Sequence, residues 1–195
     1  IFCKSKRAAK RVKESITRFI EGKLHLKVNR DKTVVSYVQG VKYLGYSFYV
    51  MKGKCQLTVH PKAKAKMKAK LKELTSRSNG WGYAKRKQKL EEYIKGWVGY
   101  YHLANMKRFL IETDEWLRRR LRMCIWKSWK RVKTRVANLV KCGIDKYQAY
   151  MWGNSRLGYW RIAGSYILSR AITNEKLSMA GYATLMGSYI EWHPK

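Results

Sequence analysis

The sequence predicts an α+β fold, in which a small antiparallel sheet with one helix precedes a mostly α-helical region. Residues 1–60 contain one amphipathic helical pattern, followed by runs of β-branched and aromatic residues. Residues 61–195 keep a helical pattern almost throughout. Hydrophobic residues make up 46% of the 195 residues, which is enough for one core or two small cores. We therefore expect two units with their boundary at Pro61.

The first unit should open with a helix in the stretch SKRAAKRVKESITRFIEGKL. Ser5 is a suitable N-cap, because its hydroxyl can accept a bond from a backbone N–H of the first turn. Gly22 is a suitable C-terminal stop. The apolar residues at helical spacing, which we expect to pack on the sheet, are Ala8, Val12, Ile16, Phe19 and Ile20.

Four short stretches after this helix predict the strands of the sheet. LHLKVN alternates apolar and polar residues at the period of a strand. TVVSYV, VKYLGYSFYV and KCQLTVH are rich in the β-branched and aromatic residues that favour strands. Gly53, within MKGK, predicts a hairpin turn between the last two stretches.

The second unit should begin with a helix at Pro61, because proline at the first position of a helix lacks only an N–H that would have no partner there. Met67, Leu71 and Leu74 share one face of this helix and should be buried. The glycines of SRSNGWGY should end it, and a long helical stretch with a break should cover residues 85–140. The remaining predicted features are a helix cap at Gly143 and shorter helices over residues 145–152, 158–172 and 179–190.

The charge of the chain is the strongest indication of its function. Its 44 lysines and arginines against 12 aspartates and glutamates give a formal net charge of +32. Self-repulsion of this size destabilises a compact state unless a polyanion or counter-ions neutralise it. Because the chain is apolar enough to fold, we expect the excess charge to face a partner, and nucleic acid is the leading candidate.

Several other classes of protein are disfavoured. The opening IFCKSKRAAK is unlike a secretory signal, and no apolar run approaches the roughly 18 residues of a membrane span. The four cysteines and four histidines are scattered without the close pairs of a zinc site, so we expect no metal and a cytoplasmic protein with reduced cysteines. The residues IFCKS resemble half of a strand pair, and we expect the chain to be a fragment of a longer or split protein.

The segment DEWLRRRLRMCIWKSWKRVKTR, residues 114–135, carries nine lysines and arginines and three tryptophans. An apolar stripe at helical spacing should face the core, and it comprises Leu117, Leu121, Cys124 and Ile125. A second face should carry Arg119, Arg122, Trp126, Lys130 and Lys133. Basic charge interleaved with planar rings is typical of proteins that bind phosphates and unpaired bases.

The alternative interpretation of this segment is a solvated helix surface. On such a surface Asp114 would pair with Arg118, and Glu115 with Arg119, at i,i+4 spacing. Two pairs leave seven of the nine cations without a local partner, and a solvated face seldom carries tryptophans. We therefore favour a nucleic-acid-binding surface. The candidate binding residues are Lys66, Lys70, Arg77, Lys85, Arg86, Arg118, Arg119, Arg120, Arg122, Trp126, Lys127, Lys130, Arg131, Lys133, Arg135 and Arg161.

No catalytic set is evident in the sequence. The acidic clusters at residues 91–92 and 112–115 lie beside basic residues that can pair with them, unlike the carboxylates of a two-metal site. The phosphate-binding pattern GxxxxGK[ST], the dinucleotide-binding GxGxxG and the zinc-binding HExxH are absent. Composition and spacing alone therefore predict a basic, mostly helical nucleic-acid binder.

Six stretches resemble the C-terminal half of bacterial group II intron reverse transcriptases, also called maturases, in the same order and across almost the whole chain. They are KSKRAAKRVKESITRFIEGKLHLKVNRDKT, VKYLGYSFY, IKGWVGYYHLA, DEWLRRRLRMCIWKSWKR, GYWRIAGSYILSRAITNEKL and GYATLMGSY. Because six unrelated motifs match in order, the resemblance is specific.

The resemblance implies a modular organisation. Residues 1–60 would be the C-terminal remnant of the polymerase palm, and residues 61–195 the thumb, or maturase-specific (X) domain. The motif YLGYSF would be the palm strand motif near the primer end, and its key residues are Tyr43, Leu44, Gly45 and Tyr46. The implied partners are group II intron RNA, whose splicing the domain assists, template–primer duplex of RNA and DNA, and an N-terminal half with fingers and palm.

The chain also departs from the family pattern. Family members carry a Tyr-x-Asp-Asp motif, normally followed at once by IFCKS, whose aspartates hold catalytic Mg²⁺. The chain lacks that motif, so the resemblance implies no cofactor for this fragment, although the complete polymerase would use Mg²⁺. Whether the chain is an enzyme is therefore open, and we expect that it does not extend a primer alone.

Two other functions compete with this interpretation. A stand-alone cationic RNA-binding protein of the ribosomal type is the main alternative, and it would show no preference for intron RNA. A membrane-surface binder is less well supported, because the lysines and tryptophans are spread over many helices and do not form one amphipathic segment.

Overall fold

The computed structural model of the chain describes residues 1–193 and has the predicted α+β fold. The chain divides into two compact units, Ile1–His60 and the part that begins at Pro61. The first unit contains α1 (Lys6–Gly22), β1 (Lys42–Tyr43), β2 (Tyr46–Met51) and β3 (Lys54–Val59). The second contains α2 (Pro61–Leu74), α3 (Tyr83–Tyr101), α4 (Lys107–Ser128), α5 (Val132–Lys141), α6 (Lys146–Gly153), α7 (Tyr159–Ala163), α8 (Tyr166–Ala171), α9 (Asn174–Met179) and α10 (Leu185–Glu191).

Helix α1 begins and ends as its sequence predicts. The Ser5 Oγ accepts a hydrogen bond from the Ala8 N–H at 3.2 Å, and the helix ends at Gly22. The predicted apolar face is only partly covered, because no residue of α1 is buried and Phe19 is 52% exposed. Helix α1 therefore depends on its local capping and periodicity and contributes no buried side chain to a core.

The three strands form one antiparallel sheet in the order β1-β2-β3. Two-residue turns with positive φ at both positions connect them, as a type I′ hairpin requires. Leu44 and Gly45 have φ values of 49° and 84°, and Lys52 and Gly53 have φ values of 50° and 72°. The predicted hairpin at Gly53 is confirmed, and so are strands in VKYLGYSFYV and KCQLTVH.

The strands predicted in LHLKVN and TVVSYV are wrong. Residues 24–37 have no regular structure, and a short 3₁₀ turn follows at Val38–Gly40. A turn at Asn29 interrupts the stretch, since its Oδ1 accepts from the Lys32 N–H at 3.0 Å and its carbonyl from the Thr33 N–H at 3.0 Å. Alternation favours a strand only where a neighbouring strand can pair with it, and none does so within residues 1–193.

Helix α4 is the central helix of the second unit and packs against α2, α7 and α10. Its residues Leu117 and Leu121 are each 2% exposed, and the predicted inner face of α2, Met67, Leu71 and Leu74, is at most 4% exposed. Helix α3 packs against α2 and α10, and α5 against α6. None of the helices within residues 1–193 combines the length and the apolar composition needed to cross a membrane.

The helices of the second unit differ from the prediction in four places, one of which is α9, over residues where no helix was predicted. The stretch 85–140 has two breaks, before α4 and after it, and the stretch 158–172 forms two helices, α7 and α8. The helix predicted over 179–190 begins only at Leu185, where the Thr184 Oγ1 caps it through the Gly187 N–H at 3.0 Å. The predicted cap at Gly143 is confirmed, with φ of 83°.

Candidate nucleic-acid interface

The basic segment 114–135 covers the second half of α4, a short break and the start of α5. The predicted apolar stripe faces the core, since Leu117, Leu121 and Cys124 are at most 5% exposed. The segment is therefore helical up to Ser128, as predicted, and is then interrupted before α5.

Arg122 and Trp126, which the sequence places on the binding face, lie in the interior. Arg122 is 9% exposed and donates from Nε to the Ile172 carbonyl at 2.8 Å and from Nη2 to the Asn174 Oδ1 at 2.9 Å. Burial lowers the pKa of its guanidinium below the usual range. Trp126 is 1% exposed. Helices surround α4 at this point, so Arg122 and Trp126 have a structural role. The prediction that they lie on an exposed binding face is corrected.

Arg120 and Arg119 are also held by main-chain carbonyls. Arg120 donates to the Thr75 Oγ1 at 2.6 Å and to the Lys72 and Thr75 carbonyls at 3.0 Å. These carbonyls lie at the C-terminal end of α2, where a cation is favourable. Arg119 donates to the Trp160 carbonyl at 2.9 Å, and its guanidinium lies 4.1 Å from the centre of the Trp160 ring.

Two more of the candidate arginines are also bonded to acceptors within the protein. Arg86 is 6% exposed and donates to the Asn79 Oδ1 at 3.0 Å. Arg135 donates to the Trp129 carbonyl at 3.0 Å and lies 4.7 Å from the centre of the Trp126 ring. These arginines tie the loops and helix ends of the second unit together.

The predicted pairing of Asp114 with Arg118 is replaced by a bond to another helix. The Asp114 carboxylate is 4% exposed and accepts from the Leu185 N–H at 2.8 Å and the Met186 N–H at 2.9 Å, at the start of α10. Desolvation raises the pKa of this carboxyl despite both bonds. Neither pair of the solvated-surface interpretation is among the ion pairs of residues 1–193, which include Lys70–Glu73, Lys89–Glu92, Glu91–Lys95 and Arg108–Glu112.

The cations with free charged groups lie where α4 ends. We call Lys127, Lys130, Arg131 and Lys133 the junction cations. The last three are exposed and Lys127 is half-buried. In the part of the chain that the structure describes, the charged side-chain group of none of the four has a hydrogen-bond or ion-pair partner. Arg131 ends the break between α4 and α5 as the N-cap residue of α5. The junction cations are thus available to an anionic partner.

The other candidate residues are dispersed over the second unit. Lys66 and Arg161 are exposed, Arg118 is half-buried, and Lys70 pairs with Glu73 at 2.7 Å. Two more lie over aromatic rings, Arg77 at 4.8 Å from the centre of Tyr159 and Lys85 at 5.5 Å from that of Trp81.

Sequence reasoning missed a cleft beside the start of α4. The cleft has a volume of about 420 Å³ and is lined by Lys64, Lys107, Arg108, Phe109 and other residues of the same turn. The Lys64 Nζ lies 4.9 Å from the centre of the Phe109 ring, and burial lowers the pKa of this lysine. No regular spacing relates Lys64 to α4, so the sequence offers no signal for the cleft.

The predicted palm motif lies in the first unit. The predicted palm motif, Tyr43 to Tyr46, forms the β1–β2 hairpin, with Tyr43 and Leu44 more than 60% exposed. No three histidine, cysteine, aspartate or glutamate side chains come together as a metal-binding group within residues 1–193.

Comparison with known families identifies one match. Residues 64–143, from α2 to the end of α5, match the family model for the group II intron, maturase-specific domain. No curated protein matches the chain. The match covers the basic segment and the junction cations, and over these residues it confirms the maturase-specific part of the resemblance.

Proposed function

We propose, from the match of residues 64–143 to the group II intron, maturase-specific domain, that the chain is the RNA-binding portion of a group II intron reverse transcriptase. In this role it binds intron RNA to support splicing and grips template–primer duplex during RNA-directed DNA synthesis. Residues 1–60 would be the end of the palm, with the β1–β2 hairpin near the primer end. The fingers and the rest of the palm would supply the Mg²⁺-dependent chemistry.

The charge balance of the matched domain is the observation that carries this proposal. Residues 64–143 contain 23 lysines and arginines and six acids. Four of these acids pair with lysine or arginine side chains, and Asp114 is bonded to α10. The protein itself therefore neutralises few of its cations, and a polyanion is the partner that fits such a surface.

The junction cations are the part of this surface best suited to phosphates. A phosphate contact requires an exposed charged group that is not already bonded within the protein. Lys130, Arg131 and Lys133 meet both conditions, whereas Arg120 and Arg122 do not. The fixed arginines hold the helices in place, and the junction cations would contact the RNA backbone.

Selectivity for intron RNA separates this proposal from a cationic binder without specificity. Each neutralised phosphate contributes about −0.7 to −0.9 to the slope of log K against log salt, so both functions predict strong salt dependence. At moderately high salt the sequence-independent contribution is screened, and affinity for a folded RNA should remain. We expect the chain to prefer an intron domain over a length-matched scrambled RNA by at least about tenfold, or roughly 1.4 kcal/mol.

A competition filter-binding assay with the two RNAs measures this preference. The chain is titrated across a salt series, and the intron domain unfolded by base changes outside its loops serves as a second competitor. Equal competition by all RNAs at every salt concentration would contradict the proposal and favour a general cationic RNA-binding protein.

A further inference from the structure

Helix α6 exposes aromatic side chains on its outer face. Tyr147 is 73% exposed and Tyr150 is 64% exposed, and their spacing of three residues places them side by side on the helix. The inner face is formed by the small residues Ala149 and Gly153, which are buried. At Gly153 a side chain would meet Val136 of α5, so α6 lies very close to α5 there. The tyrosines are thus turned away from the core.

A third exposed tyrosine lies close to α6 in space. Tyr166 of α8 is 65% exposed, and its ring meets that of Trp152 of α6 edge-on, with centres 6.0 Å apart. The Arg170 Nη1 donates to the Tyr166 hydroxyl at 2.5 Å, which places a guanidinium beside this ring. Trp152 lies on the other side of α6 from Tyr147 and Tyr150, so Tyr166 does not share their face. We call Tyr147 and Tyr150 the tyrosine surface.

The stretch of chain that carries the tyrosine surface has a net positive charge. Residues 144–172 contain four arginines and lysines, which are Lys146, Arg156, Arg161 and Arg170. Their single acid, Asp145, accepts from the Tyr147 N–H at 2.9 Å as the N-cap of α6. Exposed rings among unneutralised cations suit a ligand that has both planar apolar groups and negative charge.

We propose that the tyrosine surface stacks unpaired bases of single-stranded RNA, with the phosphates of that strand facing the neighbouring cations. The proposal rests on the proposed function, and it adds a second contact area outside the matched residues 64–143. Tyrosine rings stack on any base, so the surface would select unpaired RNA and not a particular sequence. Tyrosine is also common at protein interfaces, so a protein partner is the competing occupant that the test must separate from single-stranded RNA.

The test compares two double variants of the whole chain. Tyr147→Leu/Tyr150→Leu removes the rings and keeps apolar bulk, whereas Tyr147→Phe/Tyr150→Phe keeps the rings and removes the hydroxyls. Fluorescence anisotropy measures binding to a labelled single-stranded RNA of about 12 nucleotides, the same RNA in a duplex, and an abasic strand of equal length. Thermal unfolding shows whether each variant keeps the wild-type stability.

We expect the leucine variant to bind the single strand at least about tenfold more weakly than the wild type, and the phenylalanine variant to bind as the wild type does. Both should bind the abasic strand equally. Wild-type affinity of the leucine variant for the single strand would overturn this inference and leave the surface to a protein partner. That result would not affect the outcome of the competition assay with the intron domain, because that assay measures the selectivity of the wild type alone. Failure of this inference and failure of the proposed function are therefore distinguishable.

Discussion

The two halves of the basic segment 114–135 carry similar numbers of cations, four and five, but hold most of them in different environments. In the first half, Arg119, Arg120 and Arg122 are bonded to carbonyls of other helices and loops. In the second half, Lys130 and Lys133 are exposed, and their ammonium groups have no hydrogen-bond or ion-pair partner within residues 1–193. A cluster of cations in a sequence therefore does not by itself predict a binding surface. In a helix inside a bundle, arginines can instead form hydrogen bonds to the neighbouring helices and loops.

The difference follows from where α4 ends. Up to Ser128 the segment is a helix with neighbours on several sides, and free carbonyls at the ends of α2 and α8 lie within reach of its long side chains. An arginine suits this task, because its planar fork donates several bonds at once and stays charged when buried. After Ser128 the chain leaves the helix, and the lysines that follow have no such acceptors.

The largest effect is expected for Arg122→Ala. This change removes two bonds and a buried side chain and leaves the Ile172 carbonyl without its donor. The free energy of unfolding should fall by about 3 kcal/mol. Urea unfolding followed by circular dichroism measures it, and Arg131→Ala is the matched control, since loss of an exposed arginine should change stability by about 0.5 kcal/mol or less. Equal stability of the two variants would remove the distinction between the halves.

The next effect concerns affinity. Replacing Lys130, Arg131 and Lys133 together by alanine should weaken RNA binding by about 1–3 kcal/mol and reduce the salt slope by about 2 to 3. The matched control is alanine at the exposed cations Lys4, Lys6 and Lys10, which removes the same charge from the other unit. If both variants lose affinity equally, net charge alone governs binding and the junction cations have no special part in it.

Local signals in the sequence were sufficient for much of the fold. The cap at Ser5 and the turn at Gly53 act over a few residues, and the stripe through Leu117 and Leu121 follows from helical period. The strand predicted over residues 24–28 failed for the opposite reason, because a strand needs a partner that its own residues do not specify.

The candidate site was less predictable than the fold. Arg122 is bonded to acceptors 50 and 52 residues further along the chain, and a main-chain carbonyl has no sequence signature. The spacing of Tyr147 and Tyr150 was visible in the sequence, but their exposure depends on which face of α6 meets α5. Three-dimensional packing decides which cations and rings remain free.

The smallest effect is expected for Asp114→Asn, at the start of the segment. The amide keeps one acceptor for the Leu185 N–H and places a donor opposite the Met186 N–H, where the carboxylate accepted at 2.9 Å. Stability near neutral pH should fall by about 1 kcal/mol, because one buried N–H loses its partner while the charge that was costly to bury is removed as well. Urea unfolding measures this difference, and Glu115→Gln, at an exposed neighbour, is the control.

The stability difference between the wild type and Asp114→Asn should depend on pH, and this dependence tests whether burial raises the pKa of Asp114. Burial raises the pKa of Asp114 in the folded protein above the usual 3.8, so the folded state holds its proton more tightly than the unfolded state does. The stabilisation from this proton is complete below pH 3.8 and is lost as the pH rises through the folded pKa. The wild type should therefore lose stability relative to Asp114→Asn across that interval, as urea midpoints at a series of pH values will show. A gain of stability relative to the variant would mean that the bonds from α10 outweigh desolvation and hold the pKa below 3.8.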